Sequence, residues 1–149
     1  MSQKSGRVVA VNGNMVSIGF QGNVAMNEVV YVLSKGKRLK SEIIRVKGSE
    51  AQAQVYEITK GIRIGDEVEF SEEMLSVELG PGKKKQIYDG LQNPLPEIAE
   101  QKGFFLESGV YLRALSRSKR WSFSPQAKPG DILRRGDCIG SVPELHFTH

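Results

Sequence analysis

The stretch Arg7-Val8-Val9-Ala10-Val11-Asn12-Gly13-Asn14-Met15-Val16-Ser17-Ile18-Gly19-Phe20 decides the fold. Two runs rich in β-branched residues flank Asn12-Gly13, a dipeptide that tolerates the positive φ a tight hairpin turn demands. Comparable runs follow at Glu28–Leu33, Leu39–Val46, Ala51–Ile58 and Glu67–Phe70, with weaker turns at Gln21-Gly22-Asn23 and Gly48-Ser49. In Glu28–Leu33 and Ala51–Ile58 apolar and polar residues partly alternate, as they do when one strand face is buried and the other is wet. Short strands at this spacing predict a small closed β-barrel over residues 1–72. Its expected interior includes Val9, Val16, Ile18, Val30, Ile44, Val55 and Val68.

Beyond the barrel the character changes. Leu75–Leu79 reads as a strand, Gly80-Pro81-Gly82 breaks it, Gln86–Leu91 suits a short helical turn, and Pro94 and Pro96 punctuate. Pro96–Lys102 suits one or two turns of helix, with Glu97 placed where the helix dipole favours an acid. Residues 73–102 are therefore expected to be a connector. Strands are predicted again over residues 103–149, at Phe104–Leu106, Val110–Leu115, Trp121–Phe123, Ile132–Leu133 and Ile139–Val142, with Trp121 packed inward. Gly130-Asp131 and Gly136-Asp137 repeat a Gly-Asp pair first seen at Gly65-Asp66. Each predicts a turn whose aspartate caps backbone N–H groups while the next apolar residues enter a core strand. Such paired turns resemble the barrel-sandwich hybrids of lipoyl and biotinyl carriers, but no modifiable lysine sits in a Met-Lys-Met hairpin. The fold class is mainly β: a barrel, a connector with short helices, and a partial β-rich, barrel-sandwich-like unit.

Composition narrows the function. With 39% hydrophobic and 26% charged residues over 149 positions, the chain has the make-up of a folded globular protein. No apolar run approaches the roughly 18–20 residues a spanning helix needs, and Met1-Ser2-Gln3-Lys4-Ser5 leads into no signal-peptide core. A cytoplasmic protein is expected. The single cysteine, Cys138, excludes an internal disulfide and a thiolate zinc cluster.

Catalytic signatures are missing. A phosphate-binding loop needs G-x-x-x-x-G-K-[S/T], because its amides cradle phosphate, its lysine neutralises it and its hydroxyl holds magnesium. Gly36-Lys37 is followed by Arg38 and has Tyr31 where the first glycine belongs; Gly82-Lys83 is followed by Lys84 and has Val77 there. No G-x-S-x-G elbow is present, and Glu72-Glu73 reads as solvated charge. His146 and His149 have a ligand-like spacing, with Glu144 as their one nearby carboxylate, but the expected state of this stretch is a frayed terminus. Basic clusters lie at Lys35–Lys40, Lys83–Lys85 and Arg113–Arg120, the last beside Trp121 and Phe123. A single-strand nucleic-acid platform interleaves aromatic and basic residues in this way, so a free-standing nucleic-acid-binding barrel is the alternative reading.

Three collinear segments resemble the catalytic A subunit of vacuolar/archaeal-type (V/A-type) rotary ATPases. The first is Gly6-Arg7-Val8-Val9 with Ser41–Val46 and Gln54–Gly61. The second is Leu75-Ser76-Val77-Glu78-Leu79-Gly80-Pro81-Gly82, continuing as Ile87–Leu95. The third is Trp121–Pro125 with Gly130-Asp131, Gly136-Asp137, Ile139-Gly140 and Val142-Pro143-Glu144. Lys83-Lys84-Lys85 and Asn93 depart from the family pattern, which favours apolar and glycine residues at the former and arginine at the latter.

The resemblance implies an N-terminal barrel, a lead into a nucleotide-binding domain, and the start of the bulge insertion that sets A subunits apart. It also implies coupling of ATP synthesis or hydrolysis to proton or sodium transport, with ATP or ADP and magnesium bound beyond His149. Within the chain, therefore, no catalytic, cofactor-binding or metal-ligating residue is expected. The implied partners are B subunits in an alternating ring and stalk subunits, with no nucleic acid, and with the membrane reached only through the assembled complex. Ile139–Val142 is the expected unpaired edge through which two copies of the chain would pair.

Overall fold

The computed structural model describes residues 4–103 and 108–149. They form two compact units: the described residues up to Ser76 with 108–111, and Val77–Gly103 with Leu112–His149. The expected strand Phe104–Leu106 lies outside the described residues.

The first unit is a closed barrel of β1 (Ser5–Asn12), β2 (Met15–Gln21), β3 (Glu28–Ser34), β4 (Lys37–Lys47), β5 (Glu50–Val55) and β6 (Glu67–Met74). Neighbouring strands run in the order β1-β2-β5-β4-β3-β6, and β6 closes back on β1 through Gly6↔Val68 and Arg7↔Glu67. Every pairing is antiparallel. Tight turns set the registers. Asn12 pairs with Met15 across Gly13-Asn14, and Ser34 pairs with Lys37 across Lys35-Gly36. Lys35 and Gly36 have φ of 51° and 75°, the two positive values that a hairpin turn matched to strand twist requires.

Val8, Val16, Ile18, Val30, Val32, Leu39, Ile43, Ala51, Ala53, Val55 and Val68 fill the interior. Phe20 and Phe70 close one part of it edge to face, with ring centroids 6.3 Å apart. Five of the seven expected interior residues are among these, but Val9 and Ile44 are 44% and 39% exposed. Both misplacements have one cause. Val8 faces Ile18 and Ala10 faces Ser17, while Ile43 faces Ala53 and Arg45 faces Gln52, so Val9 and Ile44 are the extra residues of two β-bulges. In β4 strict alternation from Leu39 through Ser41 and Ile43 would bury Arg45. The bulge changes parity at Ile44, which lets Val46 pack against the core and leaves Arg45 outside.

The second unit is held differently. Its helix α1 (Leu95–Lys102) begins with Pro96 in the first turn, where a missing N–H costs nothing, and buries Ile98. Gln86–Leu91 is not helix, with Tyr88 bridging Pro94 and a turn at Gly90-Leu91, and Leu75–Leu79, Val110–Leu115, Trp121–Phe123 and Ile132–Leu133 are not strands. Side chains satisfy much of this backbone. Buried Asn93 accepts the Leu112 N–H at 3.3 Å, and Asp89 takes both the backbone and side-chain N–H of Asn93 at 2.8 Å. Glu78 accepts the Leu115 N–H at 2.9 Å and pairs with Arg117. Ladders are confined to two residues each: β7 (Ser124–Pro125) with β8 (Gly140–Ser141), and β9 (Pro143–Glu144) with β10 (Phe147–Thr148).

The Gly-Asp pairs form one turn three times over. Asp66, Asp131 and Asp137 each accept the N–H of the residue three positions earlier, at 2.9, 2.7 and 2.6 Å. The aliphatic residue one or two positions on enters the core only in the barrel, where Val68 is buried; Ile132 and Ile139 are 94% and 55% exposed. Nor is Ile139–Val142 an unpaired edge. Gly140 and Ser141 pair with β7, the Ile139 carbonyl accepts two amides, and Val142 exchanges two hydrogen bonds with His149.

Candidate functional site

Both glycine-lysine pairs that approximate a phosphate loop have other work. Gly36-Lys37 belongs to the β3–β4 hairpin. The Gly82 N–H donates to Glu144 Oε1 at 3.0 Å, so a buried carboxylate already occupies the place where a phosphate oxygen would bind. Burial pushes the Glu144 carboxyl up, but the Gly82 amide, the hydrogen bond and charge of His149, and Lys119 together hold it below its ordinary value. His149 Nε2 lies 2.7 Å from Glu144 Oε2, and its backbone pairs with Val142, so the terminal segment is a fastened hairpin and not a frayed end. Among the described residues no group of three or more His, Cys, Asp and Glu side chains is placed to hold a metal ion.

The basic clusters are dispersed and partly engaged. Arg38 bonds Glu69 at 2.7 Å and lies 3.4 Å from the centroid of the Tyr31 ring. Lys84 sits 4.2 Å over Phe147, Lys119 sits 4.1 Å over Trp121, and Arg117 pairs with Glu78. A stacking platform needs open ring faces, and these cations already cover one face of each ring. Trp121, expected inward, is half-buried, while Phe123 is 51% exposed, so the two do not form a shared core pair.

Carboxylates fasten the barrel surface at positions that no sequence motif signals. Glu28 is 3% exposed and accepts the amides of Ala25 and Glu72 and the Lys4 ammonium, at 3.1, 3.2 and 3.1 Å. Glu42 accepts the Tyr56 hydroxyl, and Glu57 accepts the Tyr111 hydroxyl across 54 residues of sequence. A groove of about 540 Å³ beside β1 and β2 is lined by Ser5, Arg7, Gly19, Gln21, Ser49 and Glu67, among other residues. None of these is a histidine or cysteine that would serve a nucleophile. The second unit leaves Val77, Leu79, Ile87, Phe123, Ile132, Ile139, Leu145 and Phe147 more than half exposed.

Comparison with known proteins agrees with this geometry. Residues 8–72 match the beta-barrel domain of the ATP synthase alpha/beta family, and residues 112–149 match the barrel-sandwich domain of ATP synthase alpha/beta subunits. The chain belongs to that family.

Within it, the similar relatives are V-type ATP synthase alpha chains. The protein of Treponema denticola is 60% identical over 149 residues, and alpha chain 1 of Treponema pallidum is 58% identical over the same span. That of Borreliella burgdorferi is 58% identical over 144 residues, 97% of the chain. The chain spans about a quarter of the length of these relatives, 25% in each case. Among the described residues no helix is long and apolar enough to cross a membrane.

Proposed function

We propose that the chain is the N-terminal part of the catalytic subunit of a V/A-type ATP synthase or ATPase, and that it serves assembly while the nucleotide site lies elsewhere in the subunit. The observation that carries this reading is the match to V-type alpha chains, one of them 60% identical over 149 residues, on a barrel that closes. Closure removes free strand edges, so the barrel offers neighbours a rigid outer face and no template for uncontrolled pairing. In the assembled enzyme the barrel joins those of alternating B subunits in a ring, and the exposed apolar side chains of the second unit form an outer contact. ATP or ADP with magnesium binds in the remainder of the subunit, and catalysis there is coupled to proton or sodium transport. The complex reaches the membrane through its other parts, with this region peripheral on the cytoplasmic side. The dispersed, ring-covering cations favour this reading over nucleic-acid binding.

The test is direct. Calorimetric titration of the 149-residue chain with magnesium–ATP, and a phosphate-release assay, are expected to show neither binding nor turnover, because electrostatic stabilisation by loop amides, lysine and magnesium carries most phosphoryl-transfer catalysis. Co-expression of the full-length subunit with its B partner is expected to give a ring that is lost when the barrel is deleted. Micromolar ATP binding by the 149-residue chain, or ring formation without the barrel, would overturn the reading.

A further inference from the structure

Residues 108–111 pack with the barrel, although Val77–Gly103 before them and Leu112–His149 after them belong to the second unit. Three hydrogen bonds hold them. The Gly109 N–H donates to Glu57 Oε2 at 2.7 Å, the Tyr111 hydroxyl donates to Glu57 Oε1, and the same hydroxyl accepts the Lys40 N–H at 2.7 Å. Lys40 stands where β5 has run out: Ser41 pairs with Val55, the last residue of β5, and the Lys40 carbonyl takes the Tyr56 N–H at 3.1 Å. The phenol of Tyr111 thus supplies an acceptor that a longer strand would have supplied. Its ring also meets Tyr31 edge to face, with centroids 6.1 Å apart.

Gly109 makes the approach possible. Its φ is +85°, and a Cβ there would lie 3.2 Å from the Arg38 nitrogen and 3.4 Å from the Arg38 oxygen, so a side chain would be strained and would crowd the β4 backbone. None of Glu57, Gly109 and Tyr111 belongs to the interior cluster. Opening this contact therefore exposes polar groups that water can satisfy and leaves the packed barrel intact, which places it at the low end of local opening free energies.

We infer that residues 108–111 form a latch on the outside of the barrel, with Glu57 and Tyr111 as its catch and Gly109 as its close-fitting point. It opens as one unit without unfolding the barrel. When it opens, the Lys40 N–H and the Tyr31–Tyr111 edge contact are released together, and a strand-edge donor becomes free.

Amide hydrogen exchange on the full chain tests this, comparing the wild type with Tyr111→Phe, Glu57→Gln and Gly109→Ala. Tyr111→Phe removes the hydroxyl alone and is expected to speed exchange at both Gly109 and Lys40 by about tenfold or more, with the amides of Ile18 and Val30 unchanged. Gly109→Ala keeps both catch side chains and is expected to free Lys40 by crowding. Glu57→Gln keeps an acceptor oxygen and is expected to give a smaller acceleration. Unchanged exchange at Lys40 in Tyr111→Phe and Gly109→Ala alike would overturn the latch. So would acceleration of Ile18 and Val30 in step with Gly109, because the contact would then be part of the global fold.

Discussion

Ile43 and Ile44 are adjacent and chemically identical, and the bulge between Ile43 and Arg45 gives them opposite fates: Ile43 is 0% exposed and Ile44 is 39% exposed. Truncating Ile43 to Ala removes three carbons from a closed interior, worth about 2.4 kcal/mol of transfer free energy at about 0.8 kcal/mol per carbon. The cavity left behind adds to this, because a closed barrel cannot collapse freely, and brings the expected loss to about 3–4 kcal/mol. Ile44→Ala, in contrast, deletes carbons that already touch water, and about 0.5–1 kcal/mol is expected. Urea unfolding followed by far-ultraviolet circular dichroism, to which the barrel strands contribute most, measures both. With a slope of about 2 kcal/mol per molar, Ile43→Ala lowers the midpoint by about 1.5–2 M and Ile44→Ala by less than about 0.5 M. Val8→Ala and Val9→Ala repeat the comparison at the β1 bulge, where Val8 is 1% and Val9 44% exposed. Equal losses at Ile43 and Ile44, or the reverse order, would refute the parity change.

Two further outcomes are expected. Trp121 is half-buried, with Lys119 over one face; Trp121→Ala is expected to cost about 2 kcal/mol, below the roughly 3–5 of a fully buried site, and a loss under about 0.5 in denaturant unfolding would make the indole a surface group. The Tyr56 hydroxyl is pushed up to about 12 by burial first and then by the hydrogen bond and charge of Glu42. A raised value means that folding favours the neutral phenol, so its stabilising contribution is fully present below the ordinary value of about 10 and is lost as pH rises toward 12. A tyrosinate absorbance titration is expected to show a late step that Tyr56→Phe removes; a titration unchanged by Tyr56→Phe would contradict it.

The barrel was legible in the sequence because its information is local. Period-2 patterning and turn residues such as Gly13 and Gly48-Ser49 act over a few positions, and the strands they predict agree with the six observed to within a few residues at each end. The bulges were not legible, because an extra residue is defined only by its partner strand: Val8-Val9 and Ile43-Ile44 each offer two interchangeable aliphatics, and the choice is made by Ile18 and Ala53 across the ladder. The second unit was misread for a related reason. Val110–Leu115 has strand composition, but its amides at Leu112 and Leu115 are taken by Asn93 and Glu78, which satisfy the backbone as well as a ladder would and leave no reason for one to form.

Asn93 joins the turn before α1 to the segment that starts at Leu112. In the fold it is 5% exposed, donates to Asp89 through both backbone and side chain, and receives the Leu112 amide. A guanidinium has no acceptor, so an arginine side chain at this position would leave the Leu112 amide without its present partner. Asn93 therefore fixes the start of the segment at Leu112 from within a turn, Asp89 to Asn93, that keeps its own backbone hydrogen bonds. The contact between Glu57 and Tyr111 has no comparable local mark in the sequence. Glu57 and Tyr111 lie 54 residues apart, in segments with no shared pattern, and only the closed barrel, which ends β5 at Val55 and leaves the Lys40 amide without a strand partner, makes one the catch for the other.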